Sequence, residues 1–261
     1  MKIKVHSWGG LGSQLFALAV VFEINMRIPN RNIELIHHTS GVTKRFFEIE
    51  SMLNSRFKLK VIDDHKVVKD QIRSNSARFL RRFFIRSIKL ILNKIRISVN
   101  LDDSPNLNKI KPWTLEIRGH YSKRHIGHTF LEECIRFFNK SDVDSDELSE
   151  TLVVHYRLGD LLIIPEKTFI APSRVIKCIS EIKDIYPLRR VIIYSDSTEE
   201  AKIKLEKIND MFSSVSFIEA PTQRVIQNSM NSSFFIGTNS KISIWIVKFR
   251  NHLGVPSQII D

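Results

Sequence analysis

Apolar positions along the opening of the chain fall into short blocks separated by glycine or polar breaks. Residues 2–7 read as a short strand, Gly9, Gly10, Leu11 and Gly12 as a turn, and the small, apolar run 14–22 as a buried helix. A second strand follows at 33–37, and a third, 115–117, leads into the loop Gly119-His120-Tyr121. Beyond the polar, acidic stretch 141–150 (SDVDSDELSE) the pattern restarts. It gives a strand at 152–155, a helix at 173–185, a strand at 191–194, a charged helix at 199–208 and a strand at 215–218. Buried strands alternating with helices of ten or so residues predict parallel βαβ units, hence an α/β fold in two Rossmann-like halves, 1–148 and 149–261.

Composition narrows the class. With 261 residues, 43% hydrophobic and 26% charged, the chain can build a sizeable core. The two cysteines, Cys134 and Cys178, form no CxxC pair, which argues against a zinc module or disulfide scaffold and fits a reducing compartment. No signal peptide or membrane span is expected, so the sequence reads as a cytoplasmic protein. The formal charge of +12 favours anionic partners. Arg78, Arg81, Arg82, Arg86, Lys89, Lys94 and Arg96 follow one another with no acidic residue between them. Drawn as a helix, residues 78–96 place Leu80, Phe84, Ile88, Ile91 and Ile95 opposite most of this basic face. Either a core-packed helix with a solvated face or a helix lying on an anionic membrane surface satisfies that pattern.

Candidate chemistry sits at strand ends, where open α/β sheets bind ligands. The turn Gly10-Leu11-Gly12-Ser13-Gln14 could bring backbone N–H groups to a phosphate or sugar, although Leu15 stands where a dinucleotide fingerprint needs its third glycine. His155-Tyr156-Arg157-Leu158-Gly159-Asp160 ends an apolar strand. Its arginine could clamp a pyrophosphate, or Arg157 and Asp160 could be a plain ion pair. In Ser195-Asp196-Ser197, Asp196 could accept from a guanine edge, or one of the three could cap the next helix. Gly237-Thr238-Asn239-Ser240 offers hydroxyls and N–H groups before another helix, with Asn239 or Ser240 as its cap. The Asp-x-Asp pairs within 142–146 read as a solvated linker, and His120, His125 and His128 as surface histidines, so no metal site is expected.

Taken in order, these motifs resemble the α-1,2-fucosyltransferases of glycosyltransferase family eleven. Gly9-Gly10-Leu11-Gly12-Ser13-Gln14-Leu15-Phe16 stands for the family's GGLGNQ-F opening, and His155, Arg157, Gly159 and Asp160 match its HxRxGD signature in full. Ser195-Asp196 and Asn239-Ser240-Lys241-Ile242-Ser243-Ile244-Trp245 match later landmarks, and Gly119-His120-Tyr121-Ser122 faintly echoes its middle loop. The resemblance implies a GT-B-like pair of Rossmann-like halves with parallel sheets facing a cleft. It further implies an inverting, metal-independent transfer of fucose or a related deoxy sugar from a GDP-sugar to a saccharide hydroxyl, without a cofactor, in synthesis of an O-antigen-type polysaccharide. By the same resemblance Arg157 binds the donor pyrophosphate, His155 and Asp196 help hold guanosine, Ser240 takes a phosphate oxygen, and Ser195 and Asn239 belong to the donor-binding side. Gly10, Leu11, Gly12, Ser13, Gln14, His120 and Tyr121 line the sugar and acceptor side, and His6, His120 and Asp160 compete for the role of base. Ser13 replaces the family's asparagine, and the middle loop lacks its Trp-Gln pair, which bears on sugar and acceptor more than on donor phosphate. The acceptor expected is a saccharide, with a lipid-pyrophosphate carrier suiting the basic face. The rival is a polyanion or nucleic-acid binder using that face, which leaves the strand-end motifs unused and ranks lower.

Overall fold

The computed structural model describes residues 2–40, 44–53, 57–64, 91–101, 107–122, 125–139, 148–163 and 168–261, with nothing said of the Leu107, Asp160 and Ile163 side chains. The chain divides into two compact units, Met1–Phe130 and Leu131–Asp261. The acidic run expected at the junction lies outside the described residues apart from its last three.

The first unit carries a wholly parallel sheet of five strands in the order β3-β2-β1-β5-β4. They are β1 Lys2–Trp8, β2 Asn32–His38, β3 Phe57–Ile62, β4 Ser98–Asn100 and β5 Glu116–Arg118. Helix α1, Leu11–Arg27, follows β1 and buries Leu15, Phe16, Val20, Val21 and Ile24. It starts at Leu11 with Gly10 as N-cap, so Leu11, Gly12, Ser13 and Gln14 belong to the helix and the turn is shorter than the glycine pattern predicts. The uninterrupted apolar run explains this: a helix buried on most sides needs no polar stripe. Helix α2, His128–Phe138, ends the first unit and opens the second.

The second sheet is also five-stranded and parallel, in the order β10-β9-β6-β7-β8. Its strands are β6 Thr151–His155, β7 Arg190–Tyr194, β8 Ser214–Ile218, β9 Phe234–Thr238 and β10 Ser257–Ile260. Its helices are α3 Gly159–Ile163, α4 Pro172–Ile185, α5 Thr198–Lys204, α6 Thr222–Asn231 and α7 Lys241–Leu253. All of β9 and four residues of β6 are buried, as covered parallel strands require. The charged helix expected over 199–208 is shorter: α5 stops at Lys204 and a 3-10 turn, Glu206–Asp210, continues. Gly254, at φ 71, closes α7 by turning its N–H back to the Arg250 and Asn251 carbonyls. Cys134 and Cys178 are buried free thiols.

Strands β3, β4 and β10 have no counterpart in the sequence reading. The outer strands β4 and β10 have three and four residues, too few for a period to show, while β3 alternates only partly. The basic run lies outside the described residues up to Leu90. Residues 91–94 are helical, but Arg96 has φ 60, so the helix does not continue through it. Ile91 and Ile95 are exposed there rather than packed.

Candidate functional site

In each unit the first strand becomes the central one, and the chain fills one side of it before crossing to the other. The crossover points lie beside β1 and β5 in one sheet and beside β6 and β9 in the other, where strand ends open a crevice. Polar side chains collect at both places.

In the second unit, β6 ends at His155. Its Nδ1 lies 2.9 Å from Ser243 Oγ and 3.4 Å from Ser240 Oγ. Ser240 is the N-cap of α7: its Oγ accepts the Ser243 N–H at 3.0 Å and donates to Ser243 Oγ at 3.0 Å. The Ser243 hydroxyl is then left to donate to His155 Nδ1, which assigns the imidazole proton to Nε2. The ring belongs to a half-buried residue, but its surroundings are dry enough to push its pKa down to about 4. Burial is the main cause, Asp196 opposes it, and the Arg157 charge adds to it.

Arg157 is positioned through its backbone. Thr238 at the end of β9 donates its hydroxyl to the His155 carbonyl and accepts the Arg157 N–H, both at 3.0 Å. Asp196, exposed at the end of β7, reaches across to the same turn. Its Oδ1 accepts the N–H groups of Leu158 and Gly159 at 2.9 and 2.7 Å. Ser195, Asp196 or Ser197 could have capped the following helix α5, but Asp196 serves the start of α3 instead. Ser197 caps α5 without a side-chain bond, while buried Ser195 accepts the Ser197 N–H. Gly159 is required at this spot, because a Cβ would lie 2.2 Å from Asp196 Oδ2. Gly237 is equally constrained: a Cβ would meet Ser243 Cβ at 2.5 Å, and that approach seats the start of α7 against β9. Asn239 is exposed beside buried Ser240. The structure thus brings His155, the Arg157 backbone, Asp196 and Ser240 to neighbouring strand ends. Asp160 is the second residue of α3.

The first unit is organised differently. Gln14 is fully buried and stitches a loop to the glycine turn. Its Nε2 donates to the Gly9 and Phe46 carbonyls at 3.1 and 2.7 Å, and its Oε1 accepts the Glu48 N–H at 2.8 Å. Glu48 Oε1 in turn accepts the Leu11 N–H at 3.2 Å, serving a helix start that has no N-cap side chain. Tyr121, at φ 57, is buried, and its hydroxyl donates to the His6 and Ile117 carbonyls. Gly10, Leu11 and Gly12 therefore shape the helix start, whereas Ser13 is half-buried and His120 exposed.

His6 belongs to a four-residue chain. His6 Nδ1 is 2.9 Å from His38 Nε2, His38 Nδ1 is 2.9 Å from Asp64 Oδ2, and His6 Nε2 is 3.0 Å from Glu116 Oε1. The last contact is close without the alignment of a hydrogen bond. Trp8 stacks on His38 with ring centroids 4.9 Å apart. Burial, helped by the Arg118 charge, lowers the His6 pKa to about 4 against the pull of Glu116. Burial works to raise the Glu116 carboxyl, but the bond to Arg118, the Arg118 charge and His6 together outweigh it and hold the carboxyl below the ordinary range. A neutral His6 donating to His38, which donates to Asp64, accounts for two of the three contacts and leaves the bare His6 Nε2 facing the Glu116 carboxylate. His6 Nε2 is sealed from solvent.

Sequence reading missed Thr238, Ser243, His38, Asp64, Glu116 and Glu48. Thr238 and Ser243 lay inside quoted motifs; the others are single residues on separate strands or loops. Among the described residues no group of three His, Cys, Asp or Glu side chains is arranged to hold a metal ion. No described helix is long and apolar enough to cross a membrane.

No family model matches the chain, and no curated protein matches it. Solved structures do. Heptosyltransferase WaaC of E. coli with ADP is similar at TM-score 0.54 and 10% identity, over 99% of this chain and 87% of that one. The same enzyme with ADP-2-deoxy-2-fluoro heptose gives TM-score 0.53 at 11% identity, over 99% and 88%. A glycosyl transferase family 9 protein of Veillonella parvula follows at TM-score 0.47 and 10% identity, over 99% and 80%. The WaaC likeness establishes the fold: the chain has the α/β, glycosyltransferase-like architecture known as GT-B, built from two parallel five-stranded sheets.

Proposed function

We propose that this protein is an inverting, metal-independent glycosyltransferase that moves fucose or a related deoxy sugar from a GDP-sugar to a saccharide hydroxyl. The linkage expected is α-1,2, and the setting is synthesis of an O-antigen-type polysaccharide at the cytoplasmic face of the membrane, on a lipid-pyrophosphate-linked acceptor. The observation that carries this reading is the crossover point of the second sheet. There the turn bearing Arg157, held by Thr238 and Asp196, sits beside the start of α7 at Ser240. A guanidinium that cannot lose its proton and a helix N-terminus together suit a diphosphate. WaaC supplies a precedent for a nucleotide sugar on this fold.

In this reaction the acceptor oxygen attacks the anomeric carbon from the face opposite the diphosphate. The bond to the β-phosphate oxygen breaks, and its electron pair leaves with GDP. Arg157 stabilises that growing charge, as a preformed cation does for any departing phosphate. His155, neutral and protonated on Nε2, offers a donor to the nucleotide, while Asp196 acts by holding the turn. Ser195, Asn239 and Ser240 complete the donor side.

A thermal-shift series with GDP, UDP, ADP and CMP, with and without EDTA, tests this on wild type and Arg157→Ala. Stabilisation by GDP that survives EDTA and disappears in the variant is the expected result. A response to ADP in place of GDP moves the donor to an adenosine sugar. A shift with UDP that needs metal, or no shift with any nucleotide, overturns the proposal.

A further inference from the structure

An exposed aromatic ring and an exposed residue with a tethered carboxylate stand two positions apart on the loop that covers the glycine turn. Phe46 is 67% exposed, although Lys44 Nζ lies 5.4 Å from its ring centroid. Glu48 follows on the same loop, and its placement is fixed from both sides. Gln14 holds its backbone N–H and the Phe46 carbonyl, and the Leu11 N–H holds its Oε1. The carboxylate overlies the turn, since a Cβ on Gly10 would be 4.0 Å from Oε1. Glu48 is exposed as a residue, but its carboxyl is tucked against the helix start. That burial raises its pKa, with the Leu11 bond and the Arg45 charge opposing. A carboxylate in that state is a better proton acceptor than a fully solvated one.

We propose that Phe46 and Glu48 form the acceptor subsite: the ring packs on the apolar face of a saccharide, and Glu48 takes the proton of the hydroxyl that attacks. The inference rests on the transferase reading above. The proton passes from the acceptor O–H to the Glu48 carboxylate as the new C–O bond forms, and it leaves to solvent after the nucleotide diphosphate has departed. It gives the reaction a base that His6, sealed and bonded, does not supply.

Glu48→Gln separates this role from helix capping, because the amide oxygen still accepts the Leu11 N–H while the base is lost. GDP release from GDP-fucose is followed with methyl β-galactoside and with water alone as acceptors, across pH, alongside melting with GDP. Glu48→Gln is expected to slow turnover 10²- to 10⁴-fold and to abolish the acid limb of the pH profile, with melting and the GDP shift unchanged. Phe46→Ala should raise the acceptor KM several-fold. Wild-type turnover within threefold in Glu48→Gln, or an acid limb that persists, overturns the proposal. If Glu48→Gln melts lower, Glu48→Asp decides: an intact acid limb in that variant supports the base, and its absence overturns it. A wild type that binds GDP but turns over neither acceptor overturns this subsite alone. A wild type that shows no GDP shift overturns the transferase reading as well.

Discussion

The two sheet edges solve the same problem with different materials. At the edge of β6 and β9 the polar groups come from short runs of sequence, each ending a strand, and they act mostly through backbone: Thr238 and Asp196 hold N–H and C=O groups of one turn. At the edge of β1 and β5 the contacts run side chain to side chain. They assemble His6, His38, Asp64 and Glu116 from four separate places in the chain. An edge of the first kind is rigid because glycines bring elements too close for anything larger. An edge of the second kind is held by proton placement, so pH reaches it more directly.

That contrast can be broken from either side. The largest effect is expected at Arg250, which is fully buried and gives its guanidinium to the carbonyls of Ser229, Ser232, Ser233 and Pro256. Arg250→Met strands those carbonyls and should lower the stability of the second unit by about 3 kcal/mol or more, read as a lower denaturation midpoint. Next comes Gly159→Ala, whose methyl collides with Asp196. A loss of about 1–3 kcal/mol and of any GDP-dependent melting shift is expected, while Gly127→Ala, with open space around it, should be silent. Gln14→Leu should follow at about 1–2 kcal/mol, because the Glu48 N–H and Phe46 carbonyl lose their partner. Limited proteolysis should then cut near 44–48 in the variant before it cuts wild type.

The most diagnostic effect is with pH. His6 and His155 both have folded pKa values near 4 against an ordinary 6.5. The unfolded chain therefore binds more protons than the folded one between those values. Stability is complete above about 6.5 and falls as pH drops toward 4. Melting temperatures across that window should drop less steeply in His155→Gln, and less steeply again when His6→Gln is added. A slope unchanged in both variants would place the acid sensitivity elsewhere.

How much of this was legible follows the same division. The βαβ order and most central strands could be read because covered parallel strands are continuous apolar blocks. The second edge could be read because its motifs are contiguous: His155, Arg157, Gly159, Asp196 and Ser240 all lie in three short runs. What each does was harder to see, since Asp196 and Ser240 bond to groups far along the chain or on the next turn. The first edge was nearly silent. A lone glutamate at 48 in a loop, or a lone His38 at a strand end, has no period and no motif. Its meaning appears only once β1, β2 and β5 lie side by side. The family resemblance puts Gln14 and Tyr121 on the sugar and acceptor side, while in the structure their polar atoms bond to groups of the fold itself.

The strand order has a consequence for how the protein is made. β1 is synthesised well before β5 yet lies at the centre of its sheet, between β2 and β5. While the ribosome is still delivering the segment before Glu116, one side of β1 has no neighbour, and a buried strand is presented as a bare edge. Fragments ending short of β5 should therefore associate with one another or recruit chaperones, and expression should fare better once the chain extends past Arg118.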